Sequence, residues 1–134
     1  MQQSATKLIP PKSIAIVTRV GVGKLVFMSF EYATSQDFLS LSKLKINEYF
    51  AVYAIYKKLQ NELHAVQGTS IKGITKDELL SQKIKIPNFI EEQHKIGGFF
   101  KSLDTLIALH QCKLDKLQNI KTAYLNEMFA GGDQ

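Results

Sequence analysis

The chain has 134 residues, 45% of them hydrophobic, with a formal net charge of +5 and a sequence pI near 9.3. That is enough apolar surface for one small core and an extension, but no stretch approaches the roughly 20 apolar residues of a membrane span. Cys112 is the sole cysteine, which excludes an internal disulfide and a zinc site built on several thiolates.

The charge is uneven along the chain. Residues 1–87 hold 12 Lys or Arg against 6 acids, whereas 88–134 hold 5 against 6, so an acidic partner would meet the front part. Arg19 is the only arginine; its guanidinium fork suits bidentate recognition of guanine or phosphate better than a lysine point charge does. The amino-terminal "MQQSATKLIPPK" lacks the basic start and apolar core of a signal peptide. A soluble protein in a reducing cytoplasm is the expectation.

In chain order, "IPPK" reads as a turn, and "SIAIVTR" and "KLVFMSF" are rich in β-branched and aromatic residues on either side of "VGVG". This pattern predicts two strands joined by a tight glycine turn. "YATSQDFLSLS" predicts a further strand around Phe38 to Leu41. "INEYFAVYAIYKKLQNELHAV" places Tyr49, Val52, Tyr53, Tyr56, Leu59 and Leu63 at intervals of three and four, which predicts a helix with that face on the sheet. "GTSIKG" breaks the pattern, and "TKDE" matches a capping box with Thr75 as cap and Glu78 reaching back. "KIKIP" alternates charged and apolar residues and reads as a strand ended by Pro87. "NFIE" repeats the capping logic with Asn88 and Glu91, and opens a run of about 40 residues without proline.

Gly97 and Gly98 are the weak point of that last run, at about 1 kcal/mol each relative to Ala. With Ile96 at heptad position a, the a positions are Ile96, Leu103, His110, Leu117 and Tyr124, and the d positions are Phe99, Leu106, Lys113, Ile120 and Glu127. Phe100, Ile107, Leu114 and Met128 widen the stripe at position e, which suits two neighbours better than one. A rod of nearly 60 Å, at about 1.5 Å per residue, is too long for so small a domain to cover, so a partner helix is expected on the stripe. His110 and Lys113 at inward positions would fix register at a cost in stability.

Catalytic constellations were tested on spacing. "RVGVGKLVF" has glycines and a lysine, but a phosphate-binding loop needs G-x-x-x-x-G-K followed by Ser or Thr, and here Leu25 follows Lys24. His64, His94 and His110 are isolated from one another, and Ser35 and Asp37 in "ATSQDF" have no histidine nearby. No catalytic residues, metal ligands or cofactor are expected.

The order of "RVGVGKLVF", "YATSQDF", "GTSIKGITKDELLSQKIKIP" and "EEQHKIGGFFKSLDTLIALHQCKLDKLQNIKTAYLNEMF" resembles the specificity subunit of type I restriction-modification systems. The resemblance implies a non-catalytic subunit that chooses a DNA sequence and holds the methyltransferase and restriction subunits. It also implies that this chain corresponds to the later half of one target-recognition domain with its conserved helix, the leading part of the domain lying outside it. Arg19 and Lys24 at the hairpin, Gln36 beside it, and Thr69, Ser70 and Lys72 in the second glycine loop become candidates for phosphate or base contacts in double-stranded DNA. Ile96, Phe99, Leu103, Leu106, His110, Leu117, Ile120 and Tyr124 become the candidate interface with a partner helix, in a homodimer or with a second recognition unit. The alternative is an assembly module that has lost autonomous DNA binding.

The fold expected is α+β: a small mixed sheet with packed helices, then a long coiled-coil-forming helix at the carboxy terminus. The boundaries expected are a partial recognition domain over 1–87, the long helix over 88–130 and a tail over 131–134.

Overall fold

In the computed structural model, the described residues are 7–19, 21–65 and 73–131. They form two compact units, residues 1–98 and 99–134, and the α+β class holds. The first unit carries five short strands, β1 (Lys7–Ile9), β2 (Ser13–Val17), β3 (Leu25–Met28), β4 (Tyr32–Thr34) and β5 (Phe38–Leu41), and the helices α1 (Glu48–Ala65) and α2 (Lys76–Leu80). The helix α3 (Ile90–Phe129) begins in the first unit and supplies the second.

β2 is the central strand of a sheet ordered β3-β2-β5, antiparallel on both sides. Its "SIAIV" run is the densest β-branched segment of the chain and is buried from Ser13 to Ile16. The register sets two apolar rows on one face. Ile14 lies between Phe27 and Leu41, and Ile16 between Leu25 and Leu39. Successive residues point to opposite faces, so both rows meet the same helix, and Ile14, Ile16, Ala51, Ile55, Leu59 and Leu79 make the core. Burial at about 25 cal/mol per Å² of apolar area is what holds this sheet and α1 together.

β1 and β4 pair as a second two-stranded antiparallel sheet, Ile9 opposite Tyr32. The Tyr32 hydroxyl donates to Ser40 Oγ at 2.8 Å, which links β4 to β5. Neither three-residue strand is among the elements expected from the sequence, because three residues are too few to show a period.

Three sequence expectations are corrected. The core face of α1 is Ala51, Ile55 and Leu59, at spacings of four, with Phe50 buried beside it; of the expected face, Leu59 is in the core and Val52 packs against it, whereas Tyr56 is exposed. The large aromatics mark the border of the packed face: Tyr49 stacks obliquely on Phe27 with ring centroids 5.6 Å apart, and the close approach of helix to sheet is left to the small Ala51. "KIKIP" forms no strand. Ile84 packs on the core, but alternation gives a ladder only where an unpaired strand edge lies alongside. Finally, α3 opens at Ile90 rather than behind an Asn88 cap; Phe89 stands at the cap, and its carbonyl accepts from Gln93 N–H at 3.3 Å.

α3 runs unbroken through Gly97 and Gly98. The reason lies at Gly97, which is buried: a β-carbon there would stand 2.6 Å from the Phe50 nitrogen and 2.9 Å from Asn47 Oδ1. Glycine is required for the start of α1 and the third turn of α3 to approach so closely. In the second unit every described residue is exposed, including Phe99, Leu106, Leu117 and Tyr124. Among the described residues no helix is long and apolar enough to cross a membrane.

Candidate functional site

The glycine turn between β2 and β3 is what its sequence suggested. Gly21 and Gly23 have φ of +83° and +88°, a region that side-chain-bearing residues rarely enter. Val17 and Lys24 close the end of the ladder through Val17 N–H to Lys24 O at 2.9 Å, and Gly23 N–H donates to Val17 O at 3.2 Å. Lys24 is exposed at this turn. No phosphate-wrapping loop is present there: the chain enters β3 directly.

After Val17 the chain leaves β2 and passes Thr18 and Arg19. Thr18 is buried and is tied across to β5's entry, with both its N–H and its hydroxyl donating to the Asp37 carbonyl at 3.0 Å. Arg19 Nη1 then lies 3.2 Å from Asp37 Oδ1, both side chains being about half exposed. On the other side the Thr18 carbonyl accepts from Ile74 N–H at 2.9 Å. A β-carbon on Gly73 would clash with that carbonyl oxygen, so glycine permits this strap.

Three segments distant in sequence thus meet around Thr18. Between them is an open cleft of about 490 Å³ lined by Thr18, Arg19, Gln36, Leu39, Gly73, Ile74, Thr75 and Lys76. Of the residues proposed from sequence, Arg19 and Gln36 line this cleft together. Lys24 does not line it. Thr69, Ser70 and Lys72 lie outside the described residues, although the segment that follows them, from Gly73, forms part of the cleft. Sequence reasoning missed Thr18, Thr75, Lys76 and Asp37; Asp37 was noted only as half of a weak Ser-x-Asp pair.

The α2 end of the cleft is held by the predicted capping box. Glu78 N–H donates to Thr75 Oγ1 at 3.2 Å and Thr75 N–H donates to Glu78 Oε2 at 2.8 Å. The bond from the Thr75 backbone, followed by that from its side chain, holds the Glu78 carboxyl below its ordinary value of 4.5. The lining presents the Arg19 guanidinium, the Lys76 ammonium, the Gln36 amide and the Thr75 hydroxyl, with Asp37 engaged on Arg19, Glu78 on Thr75, and Asp77 next to Lys76 in the chain. That donor-rich set is suited to the acceptors of a nucleic acid.

On α3 the proposed interface residues fall into two environments. Ile96 is half-buried within the first unit, whereas Phe99, Leu103, Leu106, His110, Leu117, Ile120 and Tyr124 are all exposed. The apolar positions of this exposed stripe are interrupted by His110, Lys113 and Glu127. Cys112 is an exposed free thiol. Among the described residues, no group of three His, Cys, Asp or Glu could hold a metal ion.

Comparison with known proteins bears on both surfaces. The model of the type I restriction modification DNA specificity domain matches residues 1–119. The chain belongs to this family. Among curated proteins it is similar to a putative type I restriction enzyme specificity subunit, MjaX, of Methanocaldococcus jannaschii, with 27% identity over 128 residues, covering 93% of this chain and 30% of that protein. Among solved structures it is similar to the S subunit of a type I restriction-modification system from M. genitalium, with a TM-score of 0.66 and 15% identity over 94% of this chain and 34% of that one. A second match, a chain from a structure describing complex assembly and conformational transition of the type I R-M system, has a TM-score of 0.64 and 20% identity over 91% of this chain and 29% of that one. The chain therefore spans about a third of the length of these relatives, and the two solved structures share its fold.

Proposed function

We propose that this chain is a DNA-sequence recognition module of a type I restriction-modification specificity subunit, non-catalytic, with the first unit contacting duplex DNA and α3 pairing with a second recognition unit. The observation that carries the reading is the convergence of the sole arginine, Arg19, with Gln36, Thr75 and Lys76 on one cleft. Family membership supports it, as does the concentration of basic residues before position 88. In this reading Arg19, Lys24 and Gln36, with Thr69, Ser70 and Lys72, divide between positioning on phosphates and reading of base edges. Residues 1–87 act as the recognition part and 88–130 as the pairing helix. The partners are double-stranded DNA, modification methyltransferase and restriction subunits, and, for the isolated chain, a second copy. A cytoplasmic location fits such an assembly.

The test is binding of duplex DNA by the full chain, with the modification subunit present, across a series of salt concentrations. Binding through phosphates falls steeply as salt rises, with a log–log slope of about −0.9 per phosphate neutralised. Salt-insensitive binding, or none, contradicts the proposal.

The exposed apolar face of α3 favours a second reading, in which the chain is an assembly module without DNA affinity. Light scattering separates the two: an oligomer that depends on α3 and is indifferent to duplex DNA supports assembly alone.

A further inference from the structure

We infer that Asp37 is a positioning residue, which holds the Arg19 guanidinium for reading a guanine edge rather than for binding a phosphate. The inference rests on the proposal that this cleft meets DNA. It begins with composition: one arginine stands among 17 basic residues. The planar fork matches phosphate as well as the O6 and N7 acceptors of guanine in the major groove, while the other 16 basic residues, all lysines, can supply point charges for phosphate. The single fork of the chain lines the cleft.

Asp37 is placed as a rigid support. Its carbonyl accepts both the N–H and the hydroxyl of Thr18 at 3.0 Å, and its own N–H donates to Ser35 Oγ at 3.4 Å. All three bonds leave the carboxylate unused, so the turn is held without it. Instead the carboxylate meets Arg19 Nη1 at 3.2 Å. Thr18 precedes Arg19 directly, so the backbone that bears the acid is fixed to the backbone that bears the cation.

An exposed ion pair of this kind adds little to stability. For phosphate binding it is a disadvantage, because the carboxylate repels the polyanion and neutralises the cation. It is an advantage where direction matters more than charge. A guanidinium with one nitrogen engaged keeps donors on its other nitrogens, and a held fork loses less freedom on meeting two acceptors side by side.

The experiment is selection from randomised DNA duplexes by the full chain with its modification subunit, repeated for R19A, R19K, D37N and D37E, together with the salt slope of each. The expected result is that R19A, R19K and D37N flatten the guanine preference at the same base position, by about ten- to a hundredfold. D37N keeps or raises its total affinity and keeps its salt slope, since no cation is lost. D37E, which retains the carboxylate, keeps part of the preference and so guards against a folding defect. If D37N retains the preference that R19A removes, or weakens all duplexes alike, the role of Asp37 is overturned while the cleft's contact with DNA stands. If R19A and R19K both bind every duplex as the unaltered chain does, the DNA reading of the cleft fails and this inference falls with it.

Discussion

Asn47 and Gln93 are joined across 46 positions of chain: the Asn47 backbone N–H donates to Gln93 Oε1 at 3.0 Å, and both residues are buried. Asn47 is also the cap of α1. Its Oδ1 accepts from Phe50 N–H at 3.0 Å, and its side-chain nitrogen lies 3.0 Å from His94 Nδ1. Gln93 in turn donates from Nε2 to the Pro87 carbonyl at 3.0 Å. One amide pair therefore starts α1 and fastens the first turns of α3. Asn47→Ala is expected to cost about 1–2 kcal/mol from the lost cap. Gln93→Leu is expected to cost about 1–3 kcal/mol by stranding the buried Asn47 N–H. Urea denaturation of each variant checks this.

Gly97 and Gly98 are neighbours with opposite expectations. Helix propensity alone favours alanine by about 1 kcal/mol at both. At Gly98 a β-carbon meets nothing within 4 Å, so Gly98→Ala stabilises by about that amount. At Gly97 it would press on the Phe50 nitrogen, Asn47 Oδ1 and Tyr49 Cβ, and two of these are fixed by the cap or the backbone. Gly97→Ala therefore destabilises, by about 1–3 kcal/mol. Thermal melts of the two single variants decide the matter by the sign of the shift.

The capping box of α2 is sensitive to acid. The Glu78 carboxyl is held below its ordinary value by the Thr75 N–H and then by the Thr75 side chain. Its contribution is fully present above the unfolded value of about 4.5 and is lost as pH falls through the lower folded value. Glu78 is a surface group, so the expected readout is local: α2 amide chemical shifts of the wild-type chain move in that acidic window, and those of Glu78→Gln do not.

Association, if α3 carries it, depends on the apolar stripe. Leu106 and Leu117 are 52% and 64% exposed, and neither belongs to the core of the first unit. Leu106→Lys with Leu117→Lys is expected to abolish self-association in light scattering while leaving the urea midpoint of the first unit unchanged. A lowered midpoint in the double variant would show that these leucines are structural within the chain.

How much of this was legible in sequence differs from element to element. The β2–β3 hairpin, β5, the capping box and the extent of α3 could be read because each is specified locally, by β-branched runs, positive-φ glycines, a Thr and a Glu three apart, or a long period. What compensates the glycine pair within α3 could not. A glycine pair is a local penalty, and the contact with Asn47 and Phe50 that compensates it lies nearly 50 residues away. The α1 face was legible only in part, at Leu59 and Val52, since large aromatics give a stronger pattern than Ala51, although Ala51 is fully buried in the core.

The candidate site was legible as fragments. Arg19 and Gln36 could be named one at a time, but their convergence depends on the β2–β5 register, which carries Thr18 to Asp37, and on the Thr18–Ile74 bond that draws in Thr75 and Lys76. Asp37 had no visible role until its distance to Arg19 was known.

The five-residue α2 has its own consequence. A helix of that length is far below what persists in water by itself, and it is kept by its capping box and the buried Leu79. Amide hydrogen exchange should therefore be faster there than in β2, which is hydrogen-bonded on both sides. Thr75 and Lys76 thus line the cleft from an element held by one cap and one buried leucine, whereas Arg19 and Gln36 stand just beyond the ends of β2 and β5, so slow exchange in the strands and fast exchange in α2 would meet across the same opening.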